Sequence, residues 1–444
     1  MKKATTLEEV DSAVQFNVPV GPDDPFFTDF SQVRGDFEEK VVYKSLNVNP
    51  KTFTFNRNAN LANKTLLFLA GMRGSGKTSE LEKYAKNLEN PNCFFVVTCN
   101  IDQELDMNDL EYMDILILQL EKLVEKADRH GIQLDETVIA SMQEWFSQAV
   151  EEINSTIKDE AGLEVGVKGD IGLPVILSIF SRLRAGITGT NERATKIRST
   201  FKNRFSDFAF EFNEFIEEVN RSLRSHTIAQ EILFIVDGLE KTFSAEVRKK
   251  IILDEAVRMQ QIKVNTIFTL PIELIPFSQK IKMHSKVVSF PFVKVYDRQN
   301  NLIEVAVKKF EEFIYKRIDP DLFDNSSTVR EAIRFGGGSP RELLRLLEYA
   351  NLYADDEQGI ISRAAVDQAI RKLANETSQY LTKEEIAKLK ELREGNQQGT
   401  QTPFDDVMLG LLEKLIVMEY NDGTYKRVNP LVEVSALYQQ HVVE

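Results

Sequence analysis

The sequence predicts an α/β protein: a parallel sheet interrupted by a long helical insertion, then a helical unit, then a C-terminal winged-helix pattern. Three observations predict it. Leu66 to Ala70 are continuously apolar, as a strand buried on both faces of a parallel sheet must be, and they run into Gly71-Met72-Arg73-Gly74-Ser75-Gly76-Lys77-Thr78. A second apolar run, Ile232 to Val236, ends at Asp237. From Leu302 onward the pattern is helical, and the chain closes as helix, helix, hairpin.

Each fixed residue of the glycine loop has a physical task. The loop matches G-x-x-x-x-G-K-[ST], the P-loop pattern. Its glycines let the backbone turn tightly enough for successive N–H groups to face phosphate oxygens. The helix that follows, Ser79 to Leu88, adds the partial positive charge of its N-terminus. Lys77 is placed to reach the β- and γ-phosphates of a nucleotide, and the Thr78 hydroxyl to ligate magnesium. The expected binding set is Gly71, Arg73, Gly74, Ser75, Gly76, Lys77, Thr78 and Ser79.

Composition bounds the rest. A chain of 444 residues exceeds one compact core, so two or three domains are expected. Hydrophobic content of 42% and charged content of 28% are ordinary for a soluble globular protein. A net charge of −14 argues against binding DNA or acidic membranes through the whole surface. Cys93 and Cys99 share one expected strand and do not have zinc spacing, which suits core residues of a reduced cytoplasmic protein. His130, His226, His284 and His441 are scattered. No signal-peptide pattern is visible, and the apolar run Leu173 to Phe180 is too short to span a membrane.

In chain order, residues 1–60 are polar and irregular, with apolar islands at Asp24 to Phe30 and Lys51 to Phe55. Phe27, Arg34 or the Phe53/Phe55 stretch either closes over a nucleotide base or simply packs against the sheet edge. Cys93 to Thr98 reads as the next strand. The insertion then begins with two amphipathic helices, about Asp106 to Arg129 and Glu136 to Lys158. A glycine-punctuated hairpin is expected over Ala161 to Gly189, from the alternation of Leu163, Val165 and Val167. One long helix is expected from Asn191 to Leu223, its face formed by Phe201, Phe205, Phe208, Phe212 and Phe215. This arm either packs on itself or contacts a partner, in which case Arg193, Arg198 and Arg204 are placed to reach a neighbouring subunit's phosphates.

The Asp237 strand carries the second half of the chemistry. An acid at a strand's carboxyl end can hold magnesium through water. Glu240, three residues on, either orients and deprotonates an attacking water or caps the next helix. Val264 to Leu270 reads as a fourth strand, with Thr269 near its end as a contact for the γ-phosphate or the water. Val287 to Val295 reads as an edge strand because Pro291 lies inside it. Helices follow at Leu302–Arg317, Ser327–Arg334, Pro340–Ala354 and Arg363–Glu376. Ser339, Pro340 and Glu342 form the start signal of the third. Arg341 in its first turn is electrostatically misplaced unless an anion or carboxylate meets it. In the last unit, Thr382 with Glu385 starts one helix and Thr402-Pro403 another. Val417–Tyr420 and Tyr425–Val428 flank a tight turn at Asn421-Asp422-Gly423. Its acid-rich composition favours protein contact over DNA.

The assembled order resembles the bacterial AAA+ and STAND ATPases, in the branch similar to origin-recognition initiators and NACHT-type signalling ATPases. The residues that carry it are the P-loop, Asp237-Gly238-Leu239-Glu240, the threonine-ended strand, Gly338-Ser339-Pro340 and the winged-helix pattern. The resemblance implies a P-loop NTPase fold with ATP and Mg2+ as cofactors. Lys77 and Thr78 match the Walker A residues and Asp237 the Walker B magnesium residue. Arg341 matches the lid arginine that senses the γ-phosphate, and Asp237, Gly238 and Glu240 match the STAND pattern of Asp-Gly followed by an acid three residues on, with Glu240 as the base. The chain departs from the Asp-Glu pair of standard AAA+ enzymes. Between the fourth and fifth strands, where AAA+ rings carry an arginine finger, Ile272 to Ser285 offers only Lys280 and Lys282.

By that resemblance the expected domains are 1–60 packing on the core, 61–298 the ATPase core with its insertion at 101–230, 299–378 a helical lid and 379–444 a winged helix. The expected function is an ATP-driven switch, cytoplasmic and without membrane contact, that controls self-assembly or a separate effector or regulatory protein, as in bacterial antiphage defence modules. A DNA-binding loader of replication or transposition and a non-hydrolysing ATP-bound scaffold are the alternatives.

Overall fold

The computed structural model describes the chain except residues 1, 36, 58–59, 157–171, 243, 284, 298, 422–423 and 444. Two compact units emerge. One comprises residues 1–39, 70–83 and 289–444, the other residues 40–69 and 84–288.

The second unit is built on a five-stranded parallel sheet. Its strands are β3 (Leu66–Ala70), β4 (Phe94–Asn100), β5 (Glu231–Asp237), β6 (Asn265–Leu270) and β7 (Lys286–Ser289), in the order β4-β5-β6-β3-β7. A two-stranded antiparallel pair, β1 (Val48–Asn49) and β2 (Thr54–Phe55), precedes it. β5 and β6 are buried at every position, which is why their sequences are apolar runs rather than alternations. β5 pairs Leu233 with Asn265 and Asn100 with Asp237. The edge position of β7 is as expected, but the strand ends at Ser289, before Pro291, which lacks the N–H to extend a ladder. With β3 leading into the glycine loop, this is the P-loop NTPase fold.

The insertion differs from expectation in two places. The hairpin at Ala161 to Gly189 falls partly on residues outside those described; its described part, Leu173–Ile187, is an α-helix with Pro174 in the first turn. The single long helix is two, Asn191–Asn203 and Phe205–Ser225. The break is Arg204, at φ −113° and ψ 32°, whose guanidinium lies 5.0 Å over the Trp145 ring. No glycine or proline marks the place, so only tertiary packing imposes the break. The phenylalanine face is buried as expected. Phe146 meets Phe180 at 4.7 Å, Phe201 meets Phe208 at 5.6 Å, and Phe212 reaches Phe234 of β5 at 6.4 Å. The insertion is thus continuous with the sheet's core. Arg198 does not face outward: it is buried against Asp114 at 2.7 Å and Asp109 at 2.5 Å. Arg204 is held by Trp145 and by Glu152 at 3.7 Å.

In the first unit, the helices Glu304–Tyr315, Ser326–Phe335, Pro340–Leu352 and Arg363–Ser378 share a core with residues of the N-terminal stretch. Val10, Phe26 and Phe30 pack there with Phe310, Phe313 and Leu347; Phe30 and Phe310 lie 4.7 Å apart. Residues 1–39 are therefore part of the helical unit, whereas residues 40–60 belong with the sheet.

The C-terminal stretch has helices Lys383–Gln398 and Asp406–Glu413 and an antiparallel pair, β8 (Val417–Tyr420) and β9 (Tyr425–Val428). Thr382 and Glu385 form the expected capping box. The next helix is capped by Asp405, which accepts from Met408 N–H at 2.8 Å, rather than starting at Thr402-Pro403. Of the tight turn between β8 and β9, Asp422 and Gly423 lie outside the described residues. The Tyr420 hydroxyl donates to the Gly337 carbonyl. At Gly338 (φ +86°) a Cβ would stand 1.9 Å from the Val293 carbonyl oxygen, so only glycine fits there.

Candidate functional site: a glycine loop beside the helix Pro340–Leu352

The loop grows directly from β3. Gly74 and Gly76 have φ of +82° and +93°, the left-handed region that favours glycine. Lys77 opens the helix Lys77–Leu88. Its ammonium is buried and donates to the Gly71 carbonyl at 2.8 Å and the Met72 carbonyl at 3.1 Å. The amine is therefore held over the loop, close to the amides of the helix's first turn, which have no intrahelical partner. Ser75 is buried, while Arg73 is exposed and Thr78 half-buried. The Ser79 hydroxyl accepts from Val20 N–H at 3.3 Å.

The helix Pro340–Leu352 meets this loop. The Ser339 hydroxyl donates to the Gly74 carbonyl at 3.1 Å and accepts from Glu342 N–H at 3.2 Å. A Cβ placed on Gly74 would lie 3.2 Å from Cβ of Arg341 and 3.3 Å from its Cδ. The Arg341 guanidinium hydrogen-bonds the Asn17 side-chain oxygen and lies 5.8 Å from the Phe16 ring. Burial, with the like charge of Arg73 second, holds its pKa below the usual arginine value. The side-chain hydrogen bond of Arg341 thus goes to an amide oxygen, while the Glu342 carboxylate opposes the effect of burial on its pKa.

Of the residues considered for closing over a base, Arg34 adjoins the loop. It is buried, donates to the Pro291 carbonyl at 2.7 Å, and lies 3.9 Å over the Phe290 ring. One of its terminal nitrogens is 3.3 Å from where a Cβ on Gly76 would stand. Phe53 and Phe55 instead pack in the other unit, on Tyr43 at 5.3 Å and Phe94 at 4.8 Å. Glu80, on the first turn after the loop, has its pKa raised by burial against the opposing charges of Lys83 and Arg34.

The acid strand belongs to the sheet unit. Asp237 ends β5 and is buried. Gly238 follows at φ +100°, where a Cβ would meet the Asp102 carboxylate at 2.6 Å. Its N–H donates to the Thr269 hydroxyl at 3.2 Å, which ties the end of β6 to the acid loop. Glu240 sits half-buried in the short turn Leu239–Lys241. It does not cap the following helix: Ser244 does, accepting from Val247 N–H at 3.3 Å. The capping alternative for Glu240 is thereby removed.

The donor set suits one hard divalent cation. No cluster of three or more His, Cys, Asp or Glu side chains among the described residues could hold a metal alone. Thr78 in the glycine loop and Asp237 at the end of β5 each present an oxygen of the kind that Mg2+ takes. Cys93 and Cys99 are buried free thiols, and burial pushes Cys93 up to about 12, so neither is a nucleophile. No described helix is long and apolar enough to cross a membrane.

Motif reading singled out Lys77, Thr78, Asp237, Glu240, Thr269 and Arg341, but not Asn17, Glu80 or Asp102, nor the contact between Ser339 and Gly74. Ser339 was legible as a helix cap, but a cap signature does not say that the same hydroxyl reaches a loop 265 residues away.

No known family model and no curated protein matches the chain. Solved structures give distant likenesses. One is the Walker-type ATPase of Pyrococcus abyssi, at 12% identity and TM-score 0.42, covering 95% of this chain and 98% of that one. Another is the RuvB Holliday junction branch migration motor of Thermotoga maritima, at 10% identity and TM-score 0.33, covering 91% and 97%. At this distance neither likeness bears on the chemistry of the chain.

Proposed function

We propose that the chain is an ATP-binding and ATP-hydrolysing switch. The observation that carries this reading is the P-loop itself. A buried lysine amine rests on the loop carbonyls at a helix N-terminus, and a second, desolvated cation, Arg341, is laid over the same loop by the lid helix. Cations set over a glycine loop at a helix N-terminus favour a polyanion.

The residue roles follow. Lys77 exchanges loop carbonyls for β- and γ-phosphate oxygens. Backbone N–H groups around Ser75 and Gly76 would cradle the phosphates, and by their motifs Thr78 and Asp237 would hold Mg2+, which would supply charge neutralisation at the transferred group. Glu240 orients and deprotonates the water, and Thr269 holds the acid loop's backbone in register through Gly238. Arg341 senses the γ-phosphate, so that hydrolysis releases the lid and the winged-helix-like unit beyond it.

The output is self-assembly or control of a separate effector, consistent with a bacterial antiphage defence module. The hairpin supports protein contact over DNA. Its two cations are already paired, Lys426 with Glu419 at 3.3 Å and Arg427 with Glu433 at 2.8 Å, and Arg427 is buried on the Tyr296 ring. Charges neutralised in this way release few counterions on meeting phosphate backbone.

The test is Glu240→Gln in the full chain, with ATP turnover and particle mass measured together. Turnover should fall about 10²–10⁴-fold, as for loss of a general base, with ATP still bound and an ATP-loaded assembly accumulating. Wild-type protein that binds ATP, does not turn it over and keeps its mass would make the nucleotide a structural ligand of a scaffold.

A further inference from the structure

The hydroxyl of Ser339 does two jobs at once. It accepts from Glu342 N–H, which caps the lid helix, and it donates to the carbonyl of Gly74 at 3.1 Å. A helix cap requires only an acceptor, which Asp or Asn supplies as well. The donor function is surplus to capping, and it is spent on the phosphate loop.

The surroundings make this contact rigid. Ser339 is fully buried, and its own N–H donates to the Gly336 carbonyl at 3.0 Å. The preceding Gly338 carbonyl accepts from Val293 N–H at 3.1 Å. Pro340 fixes the first helical φ. Gly74, on the other side, has no Cβ, and one placed there would stand 3.1 Å from the Ser339 Oγ. Backbone and side chain therefore approach closely because the loop residue is a glycine. Arg341 lies two residues along the same helix, and its side chain runs past Gly74. The hydrogen bond sets the distance between the helix start and the loop, and so sets where Arg341 can place its guanidinium.

We infer that Ser339 is a positioning residue: by hydrogen-bonding the Gly74 carbonyl it holds the lid arginine, Arg341, in register with the phosphate loop. The inference rests on the nucleotide-binding reading above and deepens it. A loop whose carbonyl is tied to the lid cannot shift on receiving phosphate without the lid helix moving too. Ser339 is thereby the mechanical link between the terminal phosphate and the lid.

The experiment measures ATP and ADP affinities, by calorimetry on the full chain with Mg2+, for wild type, Ser339→Gly, Ser339→Ala and Ser339→Thr. Each is made alone and in an Arg341→Ala background. Glycine is a tolerated cap, so Ser339→Gly removes the link with little loss of helix stability. The alanine variant, checked by thermal melting, covers failure of the glycine variant to fold. Loss of one neutral hydrogen bond is worth about a five-fold change in equilibrium. The preference for ATP over ADP should fall about five-fold in Ser339→Gly and Ser339→Ala and be restored in Ser339→Thr. In the Arg341→Ala background the same substitutions should change the preference by less than about two-fold, because the residue acts through Arg341. An unchanged preference in Ser339→Gly, or an equal loss in the Arg341→Ala background, overturns the positioning role and leaves ATP binding intact. Absence of ATP binding by wild type overturns the functional reading itself.

Discussion

Lys77→Met should lower ATP turnover by about 10²–10³-fold, the loss seen when one preorganised charge donor is removed from a transition state. Methionine keeps the buried stem and deletes the ammonium. The carbonyls of Gly71 and Met72, which Lys77 holds at 2.8 Å and 3.1 Å, lose their donor. Both lie on a loop whose neighbours Arg73 and Gly74 are exposed or half-exposed, so water can replace it at small cost. The melting temperature should therefore move by a few degrees only, whereas ATP affinity and phosphate release collapse together. Phosphate release at saturating ATP, measured beside a thermal melt, checks both halves. A Lys77→Met protein that releases phosphate within about three-fold of wild type would sink the P-loop assignment.

Arg198→Met should destabilise the sheet unit by about 3–5 kcal/mol, the cost of stranding one member of a buried ion pair. The Asp114 carboxyl is 1% exposed and takes two hydrogen bonds from Arg198, at 2.9 Å and 2.7 Å. Burial pushes Asp114 up to about 6, against the stabilising hydrogen bond and charge of Arg198 and the Glu111 amide. The folded pKa lies above the unfolded value of about 3.9. The folded chain therefore binds more protons than the unfolded chain between about pH 4 and 6. This carboxyl's contribution to stability is complete below about pH 4 and is lost as pH rises through about 6. Without Arg198 the carboxyl titrates still higher, so the deficit of Arg198→Met should be larger at pH 7.5 than at pH 5. Denaturant unfolding at the two values measures it. A deficit independent of pH would mean that lost packing, not a stranded charge, is responsible. Adding Asp114→Asn, which keeps the cap acceptor for Glu111 N–H, should recover most of the loss at pH 7.5.

This second prediction also marks where sequence reading stops. Arg198 was legible as a cation on a helix with an apolar face, but its partner is 84 residues away. Helical periodicity shows which residues share a face and is silent on what the face meets. The same limit explains the missed break at Arg204. Nothing local interrupts Asn191 to Leu223; the break comes from the guanidinium's seat over Trp145 and the turn of the phenylalanine stripe toward Phe234. The capping misassignment was of another kind. Thr402-Pro403 and Asp405 are competing caps within a few residues of one another, and packing chose between them.

What the sequence determined by itself is whatever a few adjacent residues decide. The apolar strand, the glycines at positive φ, the lysine at the helix start, the acid ending β5, the Ser339 cap and the Thr382/Glu385 box all rest on backbone sterics and hydrogen bonds closed within one turn. The tertiary structure alone decided which distant surfaces meet. It set the strand order β4-β5-β6-β3-β7, joined residues 1–39 to the helical unit, buried Arg198 in the insertion, and carried the Ser339 hydroxyl to Gly74. The physical reason is that such contacts repay their chain entropy only when whole faces are buried together. Their identity therefore depends on the complementarity of entire elements rather than on any local pattern.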